Sequence, residues 1–267
     1  MVSVASAQEI KVMSYNIRYD EPWGDGENAW SYRREVVASL MNYYAADFIG
    51  TQETQPHQLK FLLSKMPNYS SVGAPPSDAD SGVAYKNLLY NKNKYAVVSQ
   101  HFHWLTPDGK KAVGWDAALI RWYTYGLFKD KKTGKHLWVI TAHFDHEGDT
   151  ARLESAKIVW KRIAELKKQK NCPVIFMGDL NGLPEESSIQ YLDTAMSNTR
   201  KVSMESPHGP LDTWNDFKFT SKLDGCYDYI FIEKGKLTVN KFITITDSYD
   251  MKYPSDHLPV MAHIIIP

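Results

Sequence analysis

Pro173-Val174-Ile175-Phe176-Met177-Gly178-Asp179-Leu180-Asn181 is the most informative stretch of this chain. Its apolar part, Pro173 to Met177, has the pattern of a strand buried on both faces, with helices or a second sheet covering each. It then ends abruptly in an acid and an amide. Three other segments share this design. Met13-Ser14-Tyr15 delivers Asn16, and Phe48-Ile49-Gly50-Thr51-Gln52 delivers Glu53. Val139-Ile140-Thr141-Ala142 delivers His143, with Asp145 and His146 just after it. In layered α/β proteins, strand ends are where functional side chains gather. Two more polar groups border apolar runs near the C-terminus: Asp228 opens Tyr229-Ile230-Phe231-Ile232, and Asp256-His257 precedes the last strand.

Between these strands the periodicity changes from two to 3.6. Arg33 to Tyr44 reads as a helix, with Val36, Val37, Leu40, Met41 and Tyr44 at helical spacing. Pro56 to Leu63 reads as a second helix. Asp149 is placed to cap a third, running to about Lys168, with a stripe of Leu153, Ala156, Trp160, Ile163 and Leu166. Further strands are expected at Ile10 to Ile17, Asn87 to Tyr90, Tyr95 to Leu105, Ala117 to Phe128, His136 to His143, Tyr227 to Ile232, Leu237 to Ile245 and Leu258 to Ile266. In the first of these, Ile10, Val12, Ser14 and Asn16 share one face, and Lys11, Met13, Tyr15 and Ile17 the other. Alternating strands and helices with apolar strands at the centre give an α/β class, with sheet layers covered by helices.

Composition narrows the function classes. The chain has 267 residues with 31 basic and 31 acidic side chains, a formal net charge of +0. That argues against a strongly electropositive surface for gripping long duplex nucleic acid. No apolar run approaches the roughly 20 residues of a membrane helix. Ala5-Ser6-Ala7 has the small-x-small form of a signal-peptidase site, so residues 1–8 read as the stub of a trimmed export signal, and an exported protein is expected. Cys172 and Cys226 would lie at different depths along their strands and read as two free thiols; their spacing fits no zinc pattern. The acidic loop Asp20 to Glu27 does not match EF-hand spacing and reads as a solvated loop.

Each polar strand end has an ordinary structural reading. Asp179 alone is a turn former, His143 a core histidine, Asn16 a loop stabiliser. Together they make an inventory of four carboxylates (Glu53, Asp179, Asp228, Asp256), two asparagines (Asn16, Asn181) and two histidines (His143, His257). That set suits a hard cation such as Mg²⁺, which takes oxygen ligands and keeps water for its substrate. It also supplies a histidine–carboxylate pair for proton transfer.

With these residues in view, the sequence resembles the endonuclease/exonuclease/phosphatase family. The segments that carry the resemblance are Ser14-Tyr15-Asn16-Ile17-Arg18, Thr51-Gln52-Glu53, Thr141-Ala142-His143-Phe144-Asp145-His146, Gly178-Asp179-Leu180-Asn181, Asp228-Tyr229-Ile230-Phe231 and Ser255-Asp256-His257-Leu258-Pro259-Val260, in family order across nearly the whole chain. The resemblance implies a DNase I-like four-layer α/β sandwich, two mixed sheets face to face with helices outside. It implies one domain over residues 9–267, because a site needing both Asn16 and His257 cannot be cut in two. It also implies roles. Glu53 is the principal Mg²⁺ ligand (Mn²⁺ a possible substitute), with Asn16 and Asp256 nearby. Asp179 orients or deprotonates the attacking water, Asn181 holds a phosphate oxygen, His257 pairs with Asp228, and His143 is the second phosphate-side histidine. Many relatives carry a glutamate near that histidine, on the strand that here reads Gly82-Val83-Ala84-Tyr85-Lys86-Asn87-Leu88-Leu89-Tyr90, without an acid. Asp145, two residues on from His143, is the acid that could substitute. Lys86 and Asn87 could instead contact an anionic substrate.

Trp115-Asp116-Ala117-Ala118 and Arg121 are similar to a segment of bacterial members near the deadenylase branch. This makes Trp115 a candidate to stack on a base or sugar and Arg121 a candidate phosphate contact. The structural alternative packs Trp115 in a loop and pairs Arg121 with an acid. The functional expectation is a monomeric phosphoesterase, nuclease-like and acting on single-stranded nucleic acid or nucleotides. The alternative is a phosphatase or phosphodiesterase of a small substrate: a sugar phosphate, an inositol phosphate or a lipid headgroup. A non-catalytic binding protein on the same fold is a third reading, disfavoured by the intact polar set. No short apolar membrane-docking loop is evident.

Overall fold

The computed structural model describes residues 8–21, 23–73 and 85–267; the Ala5-Ser6-Ala7 segment, Gly82 to Ala84 and the side chain of Lys86 lie outside the described residues. The first sheet contains β1 (Gln8–Asn16), β2 (Phe48–Thr54), β3 (Tyr69–Val72), β4 (Tyr85–Asn91), β11 (Thr238–Thr244) and β12 (Val260–Ile266), in the order β11-β12-β1-β2-β4-β3. The second contains β5 (Tyr95–Trp104), β6 (Trp122–Asp130), β7 (His136–His143), β8 (Val174–Asp179), β9 (Ser197–Asn198) and β10 (Asp228–Ile232), in the order β5-β6-β7-β8-β10-β9. Each sheet has one parallel pair, β1 with β2 and β7 with β8. The crossovers are α1 (Trp30–Tyr44) and α3 (Asp149–Gln169). The carboxyl ends of these four parallel strands are Asn16, the Glu53 region, His143 and Asp179, so the topology alone collects them at one edge of the molecule.

The layers follow from the side-chain alternation. Ile10 and Val12 of β1 face inward, where they and Phe48 and Leu88 meet Val139, Ile175, Met177 and Ile230 of the other sheet. Met13, Tyr15 and Ile17 point the opposite way, onto Val37, Leu40 and Met41 of α1 and Leu62 of α2 (Pro56–Lys65). Behind the second sheet, Ile140, Phe176 and Phe231 pack on Ala156, Val159 and Ile163 of α3 and on Ile189 and Leu192 of α4 (Ser187–Ala195). The result is the expected four-layer sandwich. Among the described residues, no helix is long and apolar enough to cross a membrane. Cys172 and Cys226 are buried free thiols, and burial pushes them up to about 11 and about 12.

Three local readings change. Helix α1 begins at Trp30, not Arg33, because Trp30 is itself core and packs edge-on against Phe61 at 5.8 Å. Strand β6 begins at Trp122, not Ala117; the intervening backbone turns so that the Ala118 and Leu119 N–H groups bond Asp145. Asp149 does not cap α3. The cap position is Gly148, the Thr150 and Ala151 N–H groups are satisfied by the Asp116 carboxylate at 3.1 and 2.7 Å, and Asp149 pairs with Arg152. The buried face of α3 is accordingly rotated toward Ala151, Ser155 and Val159, with Leu153 and Trp160 half-buried.

Gly178 owes its place to close approach. A Cβ there would sit 2.2 Å from the Ala142 carbonyl oxygen of the paired strand. Gly178→Ala is therefore expected to cost about 2–4 kcal/mol, read as a fall in melting temperature of roughly 5–10 °C. An unchanged melt would contradict the tight β7–β8 spacing.

Candidate active site

Asn16, the last residue of β1, ties the two sheets together at their polar edge. Its Nδ2 donates to Glu53 Oε1 at 3.1 Å in its own sheet and to Asp179 Oδ2 at 2.9 Å in the other. Its Oδ1 accepts the Arg18 N–H at 3.0 Å, and the Ser255 hydroxyl donates to its carbonyl at 2.7 Å. Glu53 sits where the β2–β4 register slips, with a left-handed φ of 61°. Such strain in a non-glycine residue persists where surrounding structure enforces it, and it is concentrated at functional sites. Here it turns the carboxylate so that Oε2 accepts the Tyr19 N–H at 3.2 Å.

Asp179 is the centre of the cluster. His143 Nε2 lies 3.5 Å and His257 Nε2 3.7 Å from its Oδ2. Asn181, also left-handed at φ 48°, donates its backbone N–H to Asp179 Oδ1 at 3.1 Å and its Nδ2 to the Phe144 carbonyl at 3.0 Å. An amide nitrogen has two hydrogens, so one remains for a ligand. On the far side of His257, Nδ1 is 2.9 Å from Asp228 Oδ2. Asp228 Oδ1 is buried without a partner. Asp256 follows the Ser255 anchor, and its Oδ2 lies 4.0 Å from Arg18 Nε, as Glu53 Oε2 does from Arg18 Nη1. The structure thus brings together Asn16, Glu53, His143, Asp179, Asn181, Asp228, Asp256 and His257.

The electrostatics follow from packing acids in a buried place. Burial, then the charges of Asp228 and Glu53, push the Asp179 carboxyl up to about 7, against the pull of His257 and Asn16. Burial and the neighbouring Glu53 likewise raise Asp256. Burial alone would lower His257, but Asp228 and Asp179 outweigh it and hold the imidazole well above its ordinary value, in the charged form. The cluster is short of positive charge. Asp179, Asp228 and His257 offer ligand atoms all within 4.8 Å of one another, a possible divalent-metal group. Glu53, Asp256 and the orphaned Asp228 Oδ1 add oxygen donors, so the donor set fits a hard cation.

Of the two candidate substrate contacts, Arg121 takes the alternative reading and pairs with an acid. Arg121 is buried, with Nε 3.2 Å from Asp145 Oδ2 and Nη2 3.0 Å from His146 Nδ1, so it neutralises an acid. Asp145 also accepts the N–H groups of Ala118, Leu119, Glu147 and Gly148. Against the effect of burial, these donors and Arg121 hold its carboxyl well below the usual carboxylate range. Trp115 is half-buried at φ 52°, and its neighbour Asp116 caps α3. Asn87 is buried, with Nδ2 unpartnered among the described residues.

Sequence reasoning did not single out Arg33. Its buried guanidinium donates to the carbonyls of Ile17, Arg18, Tyr19 and Pro254, clamping the loops after Asn16 and before Asp256. Thr213 Oγ1 similarly holds the backbone at Tyr227 and Asp228. Both act on backbone atoms, which carry no signature in the sequence.

Comparison with known proteins agrees with this geometry. Residues 13–257 match the model of the Endonuclease/Exonuclease/phosphatase family. A crystal structure of an endonuclease/exonuclease/phosphatase family protein from Bacteroides thetaiotaomicron superposes with a TM-score of 0.91 at 29% identity, covering 98% of this chain and 99% of that one. A mannosyl-6-phosphatase from the same organism superposes with a TM-score of 0.88 at 29% identity, covering 96% and 99%. The RNA exonuclease NGL1 of Saccharomyces cerevisiae is 20% identical over 89% of this chain and 85% of its own length.

Proposed function

We propose, because the chain belongs to the endonuclease/exonuclease/phosphatase family, that this phosphoesterase hydrolyses the phosphate ester of a small, sugar-like substrate with the help of a divalent metal ion. The observation that carries the chemistry is Asp179 flanked by two histidine Nε2 atoms at 3.5 and 3.7 Å. The substrate class rests on the arginines around the cluster. Arg18 is held by Glu21 and Asp25, Arg33 by carbonyl oxygens, Arg121 by Asp145, and Arg152 by Asp149 and Glu186. None is left to track a polyanion, which long nucleic acids require. The likeness to a mannosyl-6-phosphatase at 29% identity supports the same reading. The 20% identical RNA exonuclease supports the second reading, a nuclease, more weakly.

Glu53, with Asp256 and Asn16, would hold Mg²⁺ (or Mn²⁺), leaving His257, paired with Asp228, to meet the phosphate. The ion supplies Lewis-acid neutralisation of the phosphoryl and leaving oxygens. Asp179 Oδ2, fixed by Asn16, orients the attacking water and accepts its proton. The His257 Nε2–H, with Nδ1 donating to Asp228, binds a phosphoryl oxygen; His143 and the free Asn181 N–H bind the others. Water oxygen bonds to phosphorus as the ester P–O bond breaks, and the sugar-like group leaves as an alkoxide that takes a proton from solvent water to become the alcohol. Ala5-Ser6-Ala7 supports export of the protein, and the span of the site from Asn16 to His257 supports one domain over residues 9–267.

EDTA is expected to abolish hydrolysis, and Mg²⁺ or Mn²⁺ to restore it. Glu53→Ala should raise the metal concentration needed by at least about tenfold. The decisive panel sets a hexose 6-phosphate beside an aryl phosphodiester, single-stranded RNA, abasic DNA and sphingomyelin. A preference for RNA over the sugar phosphate would replace this reading with the nuclease.

A further inference from the structure

We propose that a cavity beside the catalytic loops, between residues 26–36 and 249–253, is a saccharide subsite that holds sugar units beyond the phosphorylated one. This deepens the reading of the protein as a sugar-phosphate hydrolase and rests on it. The cavity measures about 520 Å³, within the range of about 300–1,000 Å³ typical of small-molecule sites.

Its walls have the composition that a neutral polyol needs. Tyr32, Tyr249 and Tyr253 line it. Tyr32 lies 75% exposed, and Tyr253 is braced by the Phe219 ring at 5.3 Å. A tyrosine presents an apolar face to the C–H face of a pyranose and a hydroxyl to its polar edge. The Asn28 amide and the Asp250 carboxylate supply donors and acceptors for hydroxyl groups. The cations are already spoken for: Lys252 pairs with Glu27 at 2.6 Å, and the Arg33 guanidinium is taken up by main-chain carbonyls. The cavity therefore has aromatic faces and hydroxyl partners but no free cation to take a nucleotide phosphate.

The second wall is shaped for the purpose. Tyr249 and Lys252 exchange backbone hydrogen bonds at 2.9 and 3.0 Å around a tight turn whose central residues, Asp250 and Met251, are both left-handed at φ 51° and 58°. Non-glycine residues take that conformation at a cost, and the turn sets Tyr249 and Tyr253 on the same cavity. The subsite also shares a wall with the catalytic cluster. Arg33 lines the cavity while its guanidinium clamps Ile17, one residue after Asn16, and Pro254, two residues before Asp256. A glycan with its phosphate at Asp179 and His257 would run over those loops into the tyrosine cavity.

The test uses neutral trisaccharides of gluco, manno and galacto configuration, titrated calorimetrically into the wild-type chain and into Tyr32→Ala, and a hexose 6-phosphate assayed free and at the end of a disaccharide. At least one trisaccharide is expected to bind, about tenfold more weakly to Tyr32→Ala. The disaccharide-borne phosphate should show a higher kcat/KM than the free hexose phosphate, a gain that Tyr32→Ala removes while leaving the free hexose phosphate unaffected. Because Tyr32 is exposed, this variant keeps its fold; Asn28→Ala gives an independent second reading. Hydrolysis of sugar phosphates without trisaccharide binding, or without any effect of Tyr32→Ala, overturns the subsite and leaves the hydrolase. Trisaccharide binding that depends on Tyr32, in a protein that cleaves no sugar phosphate, keeps the subsite and removes the hydrolase reading. Loss of oligonucleotide binding in Tyr32→Ala, with no trisaccharide binding, makes the cavity a nucleobase site and overturns the proposal.

Discussion

Asp179→Asn protein is expected to fold, to melt no lower than the parent, and to hydrolyse its substrate roughly 10²–10⁴-fold more slowly. The amide keeps the shape of the side chain and can still accept from Asn16, which donates to Oδ2 at 2.9 Å. It cannot accept a proton from water. Stability changes in the opposite direction from activity. Burial and neighbouring acids raise this carboxyl above its ordinary value, to about 7. A group raised on folding favours the folded state below its unfolded pKa, and that contribution is lost as pH rises through the folded pKa. The metal-free parent therefore carries the full cost of a buried carboxylate above about pH 7, and Asn does not. The melting advantage of Asp179→Asn should be absent near pH 4, develop between about pH 4 and 7, and persist at pH 8. The parent's kcat/KM should rise across the same upper range as Asp179 loses its proton. Those steps belong to the Asp179–His257 cluster as a whole. Turnover near the parent level in the purified variant would remove Asp179 from the proton-accepting role.

The strand β8 was readable because it is apolar on both faces, and such a strand has one place to go in an α/β protein. The same logic located Asn16, Glu53 and His143, since an apolar run that stops at a polar residue marks where a strand leaves the core. What joins them was readable only by resemblance. The Asn16–Asp179 hydrogen bond spans 163 residues and two sheets, and no local pattern encodes it. Polar–polar satisfaction was the hardest part to read. The sequence leaves open whether Arg121 meets a phosphate or an acid; its partner is Asp145, and the two buried groups neutralise one another. Asp116 caps a helix that begins more than thirty residues later, while the nearer Asp149 does not. Strand β3, Tyr-Ser-Ser-Val from Tyr69 to Val72, escaped notice because only its ends are buried. The two-residue β9 is too short to carry a pattern. The chemistry was legible because it sits on strand ends. The substrate was not, because a pattern of polar strand ends says nothing of the group that the phosphate is attached to.

Asp228→Asn and His257→Ala are expected to lose activity together, not additively. His257 is held charged by Asp228, whose Oδ2 lies 2.9 Å from Nδ1. A group raised on folding stays protonated to higher pH, so in the parent a window exists where Asp179 is ionised and His257 still carries its proton. Asp228→Asn withdraws the main support for that charge. The His257 pKa falls, the window narrows from its alkaline side, and peak turnover drops by about 10²–10³-fold. Lowering the pH cannot recover it, because Asp179 then takes up its proton. His257→Ala removes the donor outright, so adding Asp228→Asn to it should change activity by less than about threefold. Stability separates the two variants more sharply. In His257→Ala the buried Asp228 loses the partner of Oδ2, while Oδ1 already has none. Stripping a buried charge of its partner costs about 3–5 kcal/mol. The double variant replaces that stranded carboxylate with a neutral amide, so it should melt higher than His257→Ala alone while being no more active. Additive losses of activity, or a double variant that melts below both singles, would mean that Asp228 and His257 act independently. The charged imidazole would then have to be held by Asp179 alone.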